Sequence, residues 1–158
     1  MKAQNNESSI IKRLSSPAET EAFAKRLVPL LKEGDLLLFT GAIGAGKTTF
    51  IQFLAKYLGV KENVTSPSFV LHALYESGRV PLSHVDFYRL NSDAEVESIG
   101  FEDYYDTHIT VVEWADRYSC FIPPYLKLNF AYLENENERL LTITPVGKEW
   151  SDRLATLD

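Results

Sequence analysis

One segment of the chain has the residue types and the spacing of a phosphate-binding loop. Residues 41–48 are GAIGAGKT, which fits the pattern G-x-x-x-x-G-K-T. Glycines in this pattern let the backbone wrap an anion with its N–H groups pointing inward. Lys47 places a positive charge at the β- and γ-phosphates, and the Thr48 hydroxyl is placed to ligate Mg²⁺. The residues predicted to line this site are Gly41, Ile43, Gly44, Ala45, Gly46, Lys47, Thr48 and Thr49.

The segments on either side of this loop fit the structural context that the motif requires. Residues 35–40 (DLLLFT) form a nearly continuous apolar run, which is typical of a strand buried on both faces. After the loop, apolar residues recur on one helical face as far as Leu58, and Gly59 ends the predicted helix. The resulting strand–loop–helix unit predicts nucleotide binding but leaves ATPase, GTPase and kinase activities open.

Two acidic residues end predicted strands, where a phosphate-loop enzyme places a carboxylate near Mg²⁺. Glu113 follows the apolar run ITVV, and Asp86 lies near the end of a strand predicted over residues 80–88. Acidic residues are poor strand formers, which favours a functional role for both. A solvated strand terminus remains the alternative for each residue. His84 lies two residues before Asp86 and is interpreted as a packed strand histidine, with ordering of Asp86 as the alternative. Trp114 directly follows Glu113, and either a place near the nucleotide or a partner, or one in the core or at its rim, fits this residue.

The remaining pattern predicts an α/β protein, a P-loop NTPase-like three-layer fold with a central mixed, partly parallel sheet flanked by helices. A helix is expected after the capping residue Ser16, with Pro29 kinking its last turn and Gly34 as its stop. The other predicted elements are a strand at 10–14, a hairpin of strands at 69–76 and 80–88, a helix at 92–99, a strand at 109–114, a hairpin of strands at 126–133 and 140–144, and a helix from 148.

Length and composition predict one domain over residues 1–158, with residues 1–9 as a frayed tail. The net charge is −6 and no long run of Lys or Arg occurs, which argues against a large nucleic-acid footprint. The single cysteine, the polar first residues and the absence of an apolar run near 20 residues predict a cytoplasmic protein outside membranes.

Several motifs together resemble the TsaE family (also called YjeE or YdiB), bacterial ATPases needed to make threonylcarbamoyladenosine in tRNA. The family's loop GDLGAGKTTF is matched by GAIGAGKTTF, its SPTF by SPSF at 66–69, its HFDLYRL by HVDFYRL at 84–90, and its VEW by residues 112–114. Thr20 matches a threonine of the family's first helix. The likeness runs from about residue 16 to residue 145. Ala42 in place of Asp and Ser68 in place of Thr are departures from the family pattern.

The resemblance implies a role for each of these residues. Lys47 and Thr48 would bind phosphate and Mg²⁺, and Glu113 would join the Mg²⁺ shell. Asp86 would contribute to the metal site or position the attacking water. Residues 65–66, in the hydroxyl-rich segment TSPSF, would belong to a mobile switch, although an ordinary surface turn fits these residues equally well.

The resemblance also implies a nucleotide base site and partners. The base of ATP would lie between Pro17, Thr20 and the hairpin tip at 134–139. The family works with a TsaB–TsaD complex that transfers the threonylcarbamoyl group, so the chain would be a weak ATPase alone and tRNA would be contacted mainly through the complex. Exposed parts of 65–69 and residues 101–106 are the predicted partner surface.

Two other functions remain open for a phosphate-loop protein of this length. A small-molecule kinase needs a lid with clustered arginines, and the arginines here are scattered along the chain. A non-catalytic module gated by nucleotide would need the loop but neither carboxylate.

Overall fold

The computed structural model describes residues 9–157, and there seven strands form one mixed sheet. The predicted tail, apart from Ser9, lies outside the described residues. The sheet order is β1-β7-β6-β2-β5-β4-β3. The strands are β1 (Ile10–Leu14), β2 (Leu36–Gly41), β3 (His72–Tyr75), β4 (Leu82–Asp86), β5 (Ile109–Glu113), β6 (Tyr125–Tyr132) and β7 (Arg139–Val146).

The centre of the sheet is parallel and its flanks are antiparallel. Strand β2 pairs in parallel with both β5 and β6, and β4 pairs in parallel with β5. The hairpins β3–β4 and β6–β7 and the pair β1–β7 are antiparallel. The predicted central mixed, partly parallel sheet is confirmed.

Helices cover both faces of this sheet, which gives the predicted three layers. The helices are α1 (Pro17–Leu27), α2 (Lys47–Tyr57), α3 (Asp93–Glu97) and α4 (Lys148–Leu154). One core joins α1, α2 and α4 to one sheet face through side chains that include Phe23, Phe50 and Trp150. A second core joins α3 and the 3-10 turn Phe101–Tyr104 to the other face. The phosphate-loop motif therefore lies at the start of a helix that packs on the parallel strands.

Helix α1 begins as predicted but ends earlier. The Ser16 hydroxyl accepts a hydrogen bond from the Glu19 backbone N–H at 3.2 Å, and Pro17 occupies the first turn. The helix ends at Leu27, and a 3-10 turn over Val28–Leu30 contains Pro29. A proline inside a helix removes one hydrogen bond and clashes with the preceding turn. The expectation of a helix continuing to Gly34 is therefore wrong.

The segment before β3 is not the strand that its apolar residues predicted. Strand β3 begins at His72, three residues after the expected start. Phe69 and Val70 are 81% and 70% exposed, and Leu71 has a left-handed backbone with φ of 70°. The Leu71 N–H donates to the Pro67 carbonyl at 2.6 Å, so these residues form a turn.

No helix within residues 9–157 is both long and apolar enough to cross a bilayer.

Candidate functional site

Three neighbouring parallel strands end together at one edge of the sheet. Strand β2 ends at Gly41, β4 at Asp86 and β5 at Glu113. Asp86 and Glu113 are register partners, so their side chains leave the sheet on the same face, the one that α2 covers. The two carboxylates predicted from separate strand ends therefore lie side by side, at the edge where parallel sheets bind ligands.

The loop between β2 and α2 needs its glycines. Gly41, Gly44 and Gly46 have φ angles of 128°, 74° and 113°, a region that favours glycine. A Cβ atom on Gly41 would lie 2.2 Å from the Phe130 carbonyl oxygen, and one on Gly44 would lie 2.7 Å from the Tyr132 hydroxyl. Residues of β6 thus pack directly against the loop, so a side chain at Gly41 or Gly44 would clash with them.

Lys47 closes this loop on itself. Its ammonium donates to the carbonyl oxygens of Gly41 at 2.6 Å and Ala42 at 2.9 Å. The same Nζ atom lies 4.2 Å from the centre of the Trp114 ring, and only 4% of Lys47 is exposed. The charge of this lysine is therefore already held at the mouth of the loop.

Burial lowers the pKa of Lys47, because the charged ammonium loses water. The negative charges of Glu113, Asp116 and Asp86 act in the opposite direction but do not cancel the effect of burial. The site thus holds one desolvated ammonium that faces two buried carboxylates.

The first turn of α2 is tied to β5 through Thr48. The Thr48 hydroxyl donates to Glu113 Oε1 at 2.6 Å. Glu113 Oε2 lies 2.7 Å from His84 Nε2. The sequence favoured a packed strand histidine over one that orders Asp86, and His84 is indeed fully buried. Its polar partner is Glu113, because the two residues lie on the same sheet face at a diagonal register position.

Asp86 is tied to the hydroxyl-rich segment instead. Its Oδ2 atom accepts hydrogen bonds from Ser66 at 2.9 Å and Ser68 at 3.0 Å, and Oδ1 accepts from the Tyr88 backbone N–H at 2.8 Å. Thr65 is exposed beside them. The structure therefore brings part of the predicted switch segment directly onto the predicted catalytic carboxylate.

Two adjoining cavities are lined by the predicted site residues except Gly41, which lies at the end of β2. A cavity of about 300 Å³ is lined by Ile43, Gly44, Gly46, Lys47, Thr48, Thr49, Ser66, Ser68, Asp86, Tyr88, Glu113 and Trp114. A second, of about 190 Å³, is lined by Ser16, Pro17, Thr20, Gly44, Ala45, Gly46, Thr49, Phe130, Glu136, Asn137 and Arg139. Gly44, Gly46 and Thr49 line both, so the loop separates a polar compartment from one beside α1.

The second cavity places Pro17 and Thr20 beside Arg139 of the predicted hairpin tip, and it adds Phe130, which the sequence had not singled out. The Arg139 guanidinium lies 4.4 Å from the centre of the Tyr132 ring, and the Tyr132 hydroxyl donates to the Ile43 carbonyl at 2.8 Å. Both belong to the hairpin of β6 and β7. The resemblance already placed Arg139 in the hairpin tip at 134–139, whereas the contact of Tyr132 with the loop depends on the sheet order, which no local pattern contains.

The donor set suits Mg²⁺. The Thr48 hydroxyl and the carboxylates of Glu113 and Asp86 supply the hard oxygen atoms that this ion prefers. Both acids are almost fully buried, and Lys47 is the one basic residue among residues 9–157 that lines the cavity, so the cavity favours an added cation. These residues fit the metal that the sequence predicted.

The strand–loop–helix unit at the end of parallel strands defines a protein of the P-loop fold class. The profile of the family described as threonylcarbamoyl adenosine biosynthesis protein TsaE matches residues 14–141. The chain belongs to the TsaE family.

Individual relatives resemble the chain over most of their length. A tRNA threonylcarbamoyladenosine biosynthesis protein TsaE from Rickettsia conorii is 35% identical over 92% of this chain and 83% of its own. The protein of the same name from Bacillus subtilis is 34% identical over 87% of both chains. The crystal structure of Bacillus subtilis YdiB superposes with a TM-score of 0.77 and 30% identity, covering 94% of this chain and 93% of the other.

Proposed function

We propose that the chain binds ATP with Mg²⁺, hydrolyses it, and thereby supports the formation of threonylcarbamoyladenosine in tRNA. The observation that carries this proposal is the contact of Thr48 with Glu113 beside the buried Lys47. It joins a hydroxyl, a carboxylate and an ammonium at the mouth of a phosphate-binding loop. The relatives carry threonylcarbamoyladenosine biosynthesis in their names.

Each residue of the polar cavity has a distinct role in this proposal. Lys47 and the loop N–H groups bind the β- and γ-phosphates, where they stabilise negative charge. Thr48 and Glu113 hold Mg²⁺, which supplies charge neutralisation on the phosphate oxygens. Asp86 contributes to the metal site or positions the attacking water, and its bonds to Ser66 and Ser68 hold its Oδ2 atom in place.

The second cavity is proposed to take the base of the nucleotide. It lies on the opposite side of the loop from the polar cavity and has Pro17 and Thr20 on one wall. Arg139 and the hairpin tip form the facing wall. An apolar proline and a flat guanidinium suit the two faces of a planar ring.

The partner is proposed to be a TsaB–TsaD-type complex in the cytoplasm. The net charge of −6 disfavours direct binding of tRNA, so the complex would hold most of the tRNA. Phe69 and Val70 are exposed apolar residues next to the serines that contact Asp86. We propose that this segment contacts the complex and connects it to the nucleotide site.

The decisive experiment measures ATP hydrolysis by the purified chain, alone and with a TsaB–TsaD complex from the same source. We expect slow turnover alone and faster turnover with the complex. Asp86→Asn and Glu113→Gln should remove turnover while ATP still binds.

Other results would support other functions. Nucleotide binding with no hydrolysis in either condition, and full function of both carboxylate variants, would indicate a nucleotide-gated binding module. Phosphate transfer to a metabolite that outpaces ATP hydrolysis would indicate a kinase.

A further inference from the structure

His84 is a fully buried histidine next to a predicted metal ligand. It lies in β4 with 0% exposure, and its Nε2 atom is 2.7 Å from Glu113 Oε2. Its register partner on β5 is Val111, so Glu113 lies two residues further along the same face. The histidine thus approaches the carboxylate from the sheet, on the side away from Thr48.

The hydrogen bonds of the two side chains fix which atoms donate. An ionised carboxylate only accepts, so the bond to Glu113 requires the proton of His84 on Nε2. The buried Nδ1 atom has no hydrogen-bond partner among the described residues. A bare Nδ1 acceptor is tolerated better than an N–H without a partner, so the geometry favours the tautomer that carries its proton on Nε2, facing Glu113.

We propose that His84 is a positioning residue, which holds the Glu113 carboxylate so that Oε1 faces Thr48 and the phosphate loop. With Oε2 bound to His84 and Oε1 bound to Thr48, the carboxylate is held at both oxygen atoms. Without His84, rotation about the last side-chain bond of Glu113 would be restrained at one atom. This inference rests on the proposed Mg²⁺-dependent hydrolysis of ATP.

A packing role alone does not explain a histidine at this position. Leu82, two residues earlier on the same face, and Val111, the register partner of His84, show that this part of the sheet accepts aliphatic side chains. A leucine would fill similar space without leaving a buried nitrogen unbonded, which costs free energy. The histidine is thus retained at a cost that its bond to Glu113 accounts for.

The test compares three substitutions at residue 84 in the full chain. His84→Leu removes the N–H donor, His84→Gln places an amide N–H near the position of Nε2, and His84→Asn places it too far from Glu113. We expect His84→Leu and His84→Asn to lower kcat and to raise the Mg²⁺ concentration for half-maximal turnover by about 10- to 100-fold. The KM for ATP should change much less, because Lys47 and the loop are intact. His84→Gln should recover most of the loss.

A second histidine–glutamate pair, in which the glutamate is more exposed, lies before the other end of β5 and serves as a control. His108 Nε2 lies 3.0 Å from Glu76 Oε1, and this pair does not line the polar cavity. His108→Leu should leave kcat and the Mg²⁺ dependence unchanged. Thermal unfolding of every variant separates loss of fold from loss of activity.

Each outcome gives a decision. Wild-type turnover that needs no Mg²⁺, or no turnover at all, overturns the proposed function itself. If the wild type is active and His84→Leu matches it in kcat and Mg²⁺ dependence, His84 is a packing residue and the inference is wrong. If His84→Leu does not fold, equal kcat and Mg²⁺ dependence of the Gln and Asn variants overturns the inference, and recovery by Gln alone supports it.

Discussion

The ammonium of Lys47 lies against the indole ring of Trp114, with 4.2 Å between Nζ and the ring centre. Trp114 directly follows Glu113 and has a left-handed backbone with φ of 57°. This single turn of the backbone ends β5 and lets the ring lie beside the loop lysine. The predicted metal ligand and the aromatic neighbour of the lysine are therefore consecutive residues that line the same cavity.

Trp114 should report nucleotide binding through its fluorescence. Phosphate at Lys47 changes the charge that faces the indole ring, so ATP should change the emission of the protein. The chain has two tryptophans, and the other one, Trp150, lies in α4 and is buried in the core. A titration with ATP should keep its signal in Trp150→Phe and lose it in Trp114→Phe. The reverse pattern would contradict the contact described here.

Thr48 should be essential for turnover. Its hydroxyl is the proposed Mg²⁺ ligand and contacts Glu113, so Thr48→Ala should lower kcat by about 10²-fold or more, as for other preorganised electrostatic sites. Thr48→Ser keeps the hydroxyl and serves as the control, with turnover close to that of the wild type. Steady-state hydrolysis over a range of Mg²⁺ concentrations measures both. Near-normal Mg²⁺-dependent turnover in Thr48→Ala would refute the metal assignment.

Affinity for ATP should fall at alkaline pH. Burial lowers the pKa of Lys47 below its ordinary value of 10.5, so the free protein loses this charge earlier than an exposed lysine does. Bound phosphate favours the ammonium, so above that lowered pKa binding must take up a proton and weakens as pH rises. Equilibrium binding between pH 7 and pH 10 measures the effect. Lys47→Arg keeps its charge throughout this range and should show a flat profile, even if its affinity is lower.

Gly41 should be far less tolerant of alanine than Gly59. Both have positive φ, which costs an alanine about 1–2 kcal/mol. A Cβ on Gly41 would also meet the Phe130 carbonyl at 2.2 Å, whereas Gly59 has open space. Relief of that overlap should add about 1–3 kcal/mol of destabilisation. Urea unfolding of Gly41→Ala and Gly59→Ala tests this difference, and equal losses would contradict it.

The segment at 66–71 should loosen when its bonds to Asp86 are removed. Ser66 and Ser68 both donate to that carboxylate, so the double Ser→Ala variant should raise hydrogen exchange at the Leu71 amide. Ser77→Ala is the control, because Ser77 contacts Lys61 and Glu62 at the far hairpin turn. Unchanged exchange in the double variant would show that the turn at residues 67–71 is held without Asp86.

The loop and both carboxylates could be predicted because local sequence carries them. Glycine spacing, Lys47 and an acidic residue ending an apolar strand are signals contained in a few neighbouring residues. The parallel register of β4 and β5, which places Asp86 beside Glu113, was consistent with these signals. The sheet type followed from the continuous apolar run before the loop.

Contacts between distant segments were not predictable from such patterns. The partner of His84 depends on the register of β4 against β5, which no single segment contains. Phe69 and Val70 have strand-forming side chains but lie in a turn, because Pro67 and the bonds of the serines to Asp86 fix the path of the backbone. The position of Arg139 depends on the sheet order, which brings β6 beside β2.

The central place of β2 in the sheet also sets when the phosphate loop can form during protein synthesis. Leu37 pairs with Val111 on one side and Leu126 on the other, so β2 obtains both neighbours only after β6 has left the ribosome. Contacts so distant in sequence form late and slowly. Strand β1 is synthesised first, but it can pair only after its partner β7, which follows β6 in the chain, has been synthesised. We therefore expect a nascent chain to leave its glycine-rich segment without its two neighbouring strands until residues 125–132 have been synthesised.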